Sequence, residues 1–565
     1  MPDLDQSFDV VIVGAGVAGA LVAWRLGGAG LKVALIEAGA PDVDRAAAVK
    51  TWGGANAKTL GSPYPGGAPG PEHAGGPAPY YDQAGPENYL STYERIAGGT
   101  TWHWLGHTPR LLPNDFRMAS CYGVGVDWPI GYDELEPWYC QAETALGVAG
   151  DDEAWANVLG AARSRPFPMP PIWPSWSDTY VARAVDGLVI DGQRIAVLAT
   201  PAARNSRPYD GRPPCAGNAS CIPICPIGAK YDGFVHVTKA LATGHVEMIA
   251  PATATALTIG EAGRIEAVQI LRPDGATAAM KGTIVVVAAN AIESAKLLLA
   301  SHDDAKAPNG VANSSGQVGR NLMDHIQKSV FVQTPDPTYP FRGPPSTSGI
   351  EAFRDGPFRK DRSAMRFSLN NDGWARRAAG SPAADVVAAV GQNLFGARMR
   401  QRLFESVTRQ LRFSLSTEVL PDPENRVTLS DQRDVQGQLR PRINFRVAAY
   451  TRDAFAPALA VIDRMVQALN AVVVEQDASV DPGHYSGAGH VMGGLRMGKS
   501  AADAVTDADC RAFDHPNLYL VGAGVFATCG TADPTLTVAA LSLRAADHIA
   551  SVEFGKRLAT VTVAP

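Results

Sequence analysis

Asp9 and the four apolar residues Val10-Val11-Ile12-Val13 run directly into Gly14-x-Gly16-x-x-Gly19. An apolar run with no polar alternation suits a strand buried on both faces of a parallel sheet. The glycines permit a tight turn into a helix through Leu26 and close approach of a pyrophosphate to the helix N-terminus, where the backbone N–H groups favour negative charge. Lys32 to Ile36 is a second strand, and it ends in Glu37, 23 residues after Gly14, where an acid suits a ribose hydroxyl. Strand, turn, helix, strand and acid together commit this end of the chain to an α/β, Rossmann-like dinucleotide fold. The motif by itself leaves FAD and NAD open.

At 565 residues the chain is too long for one simple core, and two intertwined domains are expected, α+β in sum. A net charge of −6 argues against nucleic acid or an anionic membrane as the main partner. No run of 18 apolar residues occurs, since the best stretch, TIVVVAANAIESAKLLLA, carries Glu293 and Lys296. The N-terminus enters a strand at once, without a basic-then-apolar export signal, which taken alone reads as cytoplasmic. Residues 41–92, rich in Gly, Pro and Ala, read as a long loop or lid. Residues 163–177 form a Pro/Trp-rich excursion expected on the surface or at a partner contact. A second βα unit starts at Thr283, residues 330–480 look like an inserted substrate domain, and a strand at 517–522 precedes a helix over 536–551.

Three of seven cysteines crowd into eleven residues as Cys215-x5-Cys221-x3-Cys225, followed by Pro226. Grouped thiolates bent by Gly217, Pro223 and Pro226 suit an iron–sulfur or zinc site, and three unrelated thiols remain the alternative. Cys121, Cys140, Cys510 and Cys529 show no ligand spacing. An odd cysteine count gives no even disulfide framework, and a thiolate cluster is most safely assembled in a reducing compartment.

Four further segments carry a family resemblance: Gly98-Gly99-Thr100-Thr101-Trp102-His103-Trp104, Val318-Gly319-Arg320-Asn321-Leu322-Met323-Asp324-His325, the GAGHVMGGLRMG stretch around His490, and Asp533-Pro534-Thr535-Leu536-Thr537. They resemble the glucose–methanol–choline (GMC) flavoprotein family. The stretches ARNSRPYDGRPPCAGN, CIPICPIGA, LLPNDFRMAS and NGVANSSGQVGRNLMDH resemble its bacterial membrane-associated sugar dehydrogenases, and there is some similarity to pyranose 2-oxidases. The likeness is weakest over 41–90 and 330–480. It implies a GMC-type fold with an FAD domain over 1–45, 93–115, 200–330 and 481–565, a lid over 46–92, and a sheet-containing substrate domain over 116–199 and 331–480. It implies FAD as cofactor and a [3Fe–4S] cluster on Cys215, Cys221 and Cys225. It also implies a small Tat-exported partner subunit and a cytochrome c acceptor. The expected location shifts accordingly to the periplasm, peripheral to the inner membrane through the partner.

The same resemblance assigns site residues. Gly14, Gly16, Gly19, Glu37, Gly99, Thr100, His103, Gly524 and Thr535 would hold the cofactor, with Gly522-Ala-Gly524 read as a flavin-facing strand and turn. His490 matches the family's catalytic histidine, a base for a substrate hydroxyl. The partner position, normally His or Asn, is Asp533 here. An ionised Asp533 accepts but cannot donate a hydrogen bond, and it raises the pKa of a neighbouring histidine. Three readings stay open for it: an anchor that orients His490 or the substrate, a protonated stand-in for the amide, or a handicap to catalysis. His103 aligns with a histidine that carries covalent FAD in pyranose 2-oxidases, the alternative being a histidine packed beside the flavin ring with Trp102 and Trp104. His325 fits a structural and a functional role equally. The implied reaction is oxidation of a sugar, glycoside or polyol hydroxyl to a ketone or lactone, with electrons leaving through the cluster. An oxygen-using oxidase and a non-catalytic electron-transfer subunit are the rivals.

Overall fold

A computed structural model describes residues 7–54, 80–373, 383–476 and 485–563. The N-terminal apolar run forms β1 (Ser7–Val13), buried from Val10 to Val13 at the centre of a seven-stranded sheet. β1 pairs in parallel with β2 (Val33–Ile36), and β2 pairs in parallel with β3 (Val246–Ile249). On the other side an antiparallel meander of β4 (Thr253–Ile259), β5 (Ile265–Leu271) and β6 (Thr277–Val287) joins through β6, which is parallel to β1. Helix α1 (Val17–Gly28) leaves β1 through the glycine turn. Gly14 has φ +99°, and a Cβ there would sit 2.7 Å from the Ala288 carbonyl oxygen. A Cβ at Gly19 would sit 2.0 Å from the Gly14 carbonyl oxygen, so only glycine lets helix and turn close on each other.

The stretch expected as a lid over 46–92 divides. Residues 45–54 form α2 (Arg45–Gly54), an alanine-rich turn started by Asp44, whose carboxylate accepts the Ala47 N–H at 2.9 Å. Residues 55–79 lie outside the described residues. The βα unit from Thr283 is β6 followed by α3 (Asn290–Ala300).

The 326–476 region supplies a second, antiparallel sheet of β7 (Ile326–Gln333), β8 (Ser346–Ile350), β9 (Met365–Asn370), β10 (Gln410–Thr417) and β11 (Val472–Gln476). Its order is β11-β7-β10-β9-β8, closed at one edge by Leu198–Ala199. Between β9 and β10 a helical hairpin, α4 (Ala383–Gly391) and α5 (Gly396–Val407), projects with Val387, Phe395 and Phe404 exposed. The register stacks polar residues in rows across β7, β10 and β9: Gln327–Ser416–Arg366 and Ser329–Ser414–Ser368, with Arg412 opposite Asn370. The intervening residues, among them Val330, Leu415, Phe413, Phe367 and Leu369, are buried in the main apolar core with Phe455 and Ile462. Period-2 alternation thus gives this sheet one oily and one polar face.

The chain then returns to the first sheet as β12 (Leu518–Leu520), parallel to the end of β6. Helix α6 (Thr535–His548) packs against α1 and ends in a π turn over Ile549–Glu553, in place of the single helix to 551 expected from sequence. The Pro/Trp-rich stretch lies on the surface, with Trp173 87% exposed. Among the described residues no helix is long and apolar enough to cross a membrane.

Candidate active site

A cavity of about 350 Å³ opens between the glycine turn of the first sheet and the polar face of the second. The dinucleotide end is built from β1, α1 and β2. Gly14, Gly16 and Glu37 line it, and a Cβ at Gly16 would meet no atom within 4 Å, so the wall there is bare backbone. Glu37 is buried, and its two oxygens accept the backbone N–H groups of Ala15 (3.0 Å) and Gly39 (2.8 Å). Burial pushes its pKa up against those two bonds. Gly99, Thr100 and His103 line the middle of the cavity on a short 3₁₀ turn, and Thr535 lines it from the first turn of α6. Gly19 and Gly524 stand back from the wall. Gly19 packs helix on turn, while Gly522 and Ala523 take the lining position and Gly524 lies behind them against Leu495 and Ala291.

Polar atoms in this wall lack partners. Both ring nitrogens of His103, both carboxylate oxygens of Glu94 and the hydroxyl of Thr92 are buried without a hydrogen bond, and all three residues line the cavity. His103 Nδ1 lies 3.4 Å from Glu94 Oε1, off hydrogen-bonding geometry. Buried polar groups without partners are expensive, so this wall is shaped to be completed by a polar ligand. The bare glycine backbone, the helix N-terminus and Glu37 fit FAD at the other end.

At the far end His490 and Asp533 meet, with Nε2 3.2 Å from Oδ1 and side chains 17% and 21% exposed to the cavity. Burial alone would raise Asp533, but the hydrogen bond and charge of His490, with His107 and Arg366 nearby, hold it well below the usual carboxylate range. Burial works to lower His490, and Asp533 outweighs it, so the imidazole pKa lies above its ordinary value. The protonated stand-in reading of Asp533 finds no support in this geometry. Arg366 Nη1 stands 3.7 Å from Asp533 Oδ2, and the same guanidinium donates to Glu351 at 2.9 Å and to Thr200 at 2.9 Å. His107 is buried beside the pair, and burial pushes its pKa down to about 3.

Facing His490 and Asp533 is the polar sheet face: Gln327, Arg366, Ser368, Asn370, Arg412, Ser414 and Ser416 all line the cavity. Arg412 is held bidentately by Asp372 at 3.1 and 2.6 Å, so the wall presents hydroxyls and amides with its arginine charges already paired. Sequence reading missed this wall, together with Thr92, Glu94 and His107. The signal was the alternation of polar with apolar residues over 366–370 and 410–416, legible only once those segments are known to pair.

Cys215, Cys221 and Cys225 line one smaller cavity with Arg204 and Lys230. Among the described residues no group of three His, Cys, Asp or Glu forms a metal-binding arrangement, so the ligand set expected from the spacing is not assembled here. The cavity they line measures about 10 Å³, space for about one water. Cys221 is buried, and burial pushes its thiol pKa up, toward the neutral form. The donor chemistry fits an anionic cluster better than the volume does, because Arg204 and Lys230 are both buried cations at its edge. Burial lowers Lys230 to about 8, and it donates to the carbonyls of Trp102 (2.8 Å) and Trp104 (2.7 Å), on either side of His103. Ile222, next to Cys221, lines the large cavity, so the two cavities sit back to back.

Comparison with known proteins agrees with this architecture. Residues 421–542 match the family model described as GMC oxidoreductase. The chain is 36% identical over 553 residues to the fructose dehydrogenase large subunit of Gluconobacter japonicus, covering 96% of this chain and 98% of that one. It is 29% identical to the 2-methyl-1,2-propanediol dehydrogenase of Mycolicibacterium austroafricanum, over 96% and 95% of the two chains. The crystal structure of pyridoxine 4-oxidase from Mesorbium loti superposes with a TM-score of 0.62 at 19% identity, over 95% of this chain and 98% of that one, which speaks for the fold alone.

Proposed function

The chain belongs to the GMC oxidoreductase family, and on that premise we propose that it is an FAD-dependent dehydrogenase oxidising one hydroxyl of a sugar, glycoside or polyol. The observation that carries the substrate class is the polar face of β7, β9 and β10 opposite His490 and Asp533. A wall of serines, Gln327 and Asn370 offers several donors and acceptors to a neutral, many-hydroxyl molecule. A site built this way rejects analogues that lack those hydroxyls, because its own polar groups are then left unpaired. Arg366 and Arg412 in this wall are paired with Glu351 and Asp372, and Asp533 beside them is ionised, which disfavours a carboxylate substrate.

FAD, held by the glycine turn, Glu37 and the Thr92–His103 wall, would supply the acceptor for the carbinol hydride. The chain supplies the rest. The sheet face orients the substrate so that one hydroxyl reaches His490. His490 removes the hydroxyl proton at Nε2, the atom that faces into the cavity beside Asp533. Asp533, steadied by Arg366, orients the ring and the hydroxyl.

Two finer readings attach to this. His103, unpartnered in the cavity wall beside Glu94, is the candidate for a covalent histidyl link to the flavin. Cys215, Cys221 and Cys225 are the candidate ligands of a [3Fe–4S] cluster that passes electrons to a cytochrome c. The buried cations Arg204 and Lys230 support that assignment, and it requires the 215–226 loop to open beyond the present cavity. The similarity to a large subunit supports a partner subunit, and a periplasmic location at the membrane belongs to the same reading.

The test is anaerobic bleaching of bound FAD across a panel of sugars and polyols, with peroxide measured in air and iron and acid-labile sulfide assayed on the same preparation. Bleaching by at least one neutral polyol without stoichiometric peroxide supports the dehydrogenase. Stoichiometric peroxide assigns an oxidase, and no bleaching by any polyol overturns the substrate class.

A further inference from the structure

Both ring nitrogens of His490 are engaged. Nε2 is 3.2 Å from Asp533 Oδ1, and Nδ1 is 2.8 Å from Nδ1 of His325. The other nitrogen of His325, Nε2, is 3.0 Å from the Gly530 carbonyl oxygen. The two rings stand at 89° to each other, so the lone pair of one can meet the in-plane N–H of the other. A carbonyl only accepts, which puts the His325 proton on Nε2. His325 is wholly buried, and burial with the neighbouring His490 charge pushes its pKa down to about 3, so its Nδ1 is a bare acceptor. The proton in the His325–His490 contact therefore belongs to His490 Nδ1. On the opposite side the ionised carboxylate of Asp533 also only accepts.

We infer that His325 is a positioning residue which, opposite Asp533, gives His490 an acceptor on each side and holds it as an imidazolium in the resting site. A neutral ring has one N–H and can satisfy only one of the two acceptors. This rests on the reading of His490 as the proton acceptor from substrate. Before His490 can take a hydroxyl proton, Nε2 must release its own to solvent. Asp533 then draws the remaining ring proton toward Nε2, the tautomer that has no lone pair for the substrate. His325 opposes this by keeping that proton on Nδ1, so the lone pair stays in the cavity. Other charged groups face the ring as well. Asp324, which accepts the His490 backbone N–H at 3.0 Å, favours the charged ring, Arg366 disfavours it, and His107 beside Asp533 is neutral.

The test uses the holoenzyme with two readouts: ring-nitrogen NMR shifts of His490 against pH, and the pH dependence of anaerobic flavin reduction. In the wild type His490 should be doubly protonated at pH 6.5, its ordinary pKa, and flavin reduction should rise only above it. His325→Leu removes an acceptor from the charged ring and should lower the titration by about one to two units, the weight of one charge-assisted hydrogen bond. It should also lower the plateau rate about tenfold or more. His325→Gln, whose side-chain oxygen can accept from Nδ1, should restore most of both. A neutral His490 at pH 6, a neutral ring protonated on Nε2, or an unmoved pH profile in His325→Leu with full flavin content overturns the inference. If no polyol reduces the flavin, the functional reading fails and the NMR titration still decides this one. If His325→Leu does not fold, the wild-type titration and His325→Gln carry the decision.

Discussion

Replacing Asp533 by Asn isolates the charge that the family position normally lacks. The Asp533 oxygen lies 3.2 Å from His490 Nε2. At that separation opposite unit charges attract by about 1.3 kcal/mol at the dielectric of water and about 5 kcal/mol at an effective dielectric of 20. The pair is partly open to the cavity, and Arg366, 3.7 Å from the other carboxylate oxygen, already draws off part of the charge. The lower part of that range applies, about 1.5–3 kcal/mol, as for hydrogen bonds to charged groups. Divided by 1.36 kcal/mol per unit, it corresponds to a fall in the His490 pKa of about one to two units. The sign follows from the charge. Asp533 stabilises the protonated ring, so the base form is present only above a raised pKa, and removing the charge makes that form available at lower pH. Asp533→Asn should therefore retain or gain activity, with the rising limb of the single-turnover flavin-reduction profile displaced downward. Stopped-flow reduction by a polyol that bleaches the wild type measures it. A limb that stays put or moves up, or complete loss of reduction with FAD still bound, refutes the reasoning.

Other perturbations separate folding from binding. Gly16→Ala should lose FAD on gel filtration yet keep the melting temperature of the FAD-free parent, because its Cβ meets no protein atom within 4 Å in a wall of the cavity. Gly14→Ala should lose several degrees of stability whether or not FAD is present, because its Cβ meets the Ala288 carbonyl at 2.7 Å and its φ is +99°. Arg366→Met takes one of two arginines from Glu351, which keeps Arg354 at 2.9 Å, and removes the cation 3.7 Å from Asp533; it should cost about 1–3 kcal/mol in denaturant unfolding, with the His490 titration moved up. Flavin should stay with the acid-precipitated parent and be released from His103→Ala; release from both excludes the histidyl link.

The N-terminal sequence spelled out its own structure because the contacts that shape its turn and its acid site lie within one βαβ unit. Gly14 meets Gly19 five residues on, and Glu37 returns to the Ala15 N–H across one βαβ unit. His490 and Asp533 were legible for a different reason: each sits in a short segment, GAGHVMGGLRMG and GTADPTLT, whose pattern resembles a known family. The cysteines show the limit of spacing. Eleven residues were enough to bring three thiols to one cavity, but among the described residues they do not form a metal-binding group. Residues 326–416 were opaque in sequence, because a polar alternation along one strand acquires meaning only beside its neighbours. Pairing of β7, β10 and β9 turned Gln327, Ser414 and Asn370 into one wall. The protonation of His490 was likewise decided in three dimensions. His325 lies 165 residues from it in sequence and 2.8 Å from it in space, and the Gly530 carbonyl that fixes the His325 tautomer comes from a third segment. Sequence alone determined the dinucleotide fold and the types of group available for chemistry. The tertiary structure decided which groups face one another, and with that where the protons sit, because hydrogen-bond direction depends on the partner at each nitrogen.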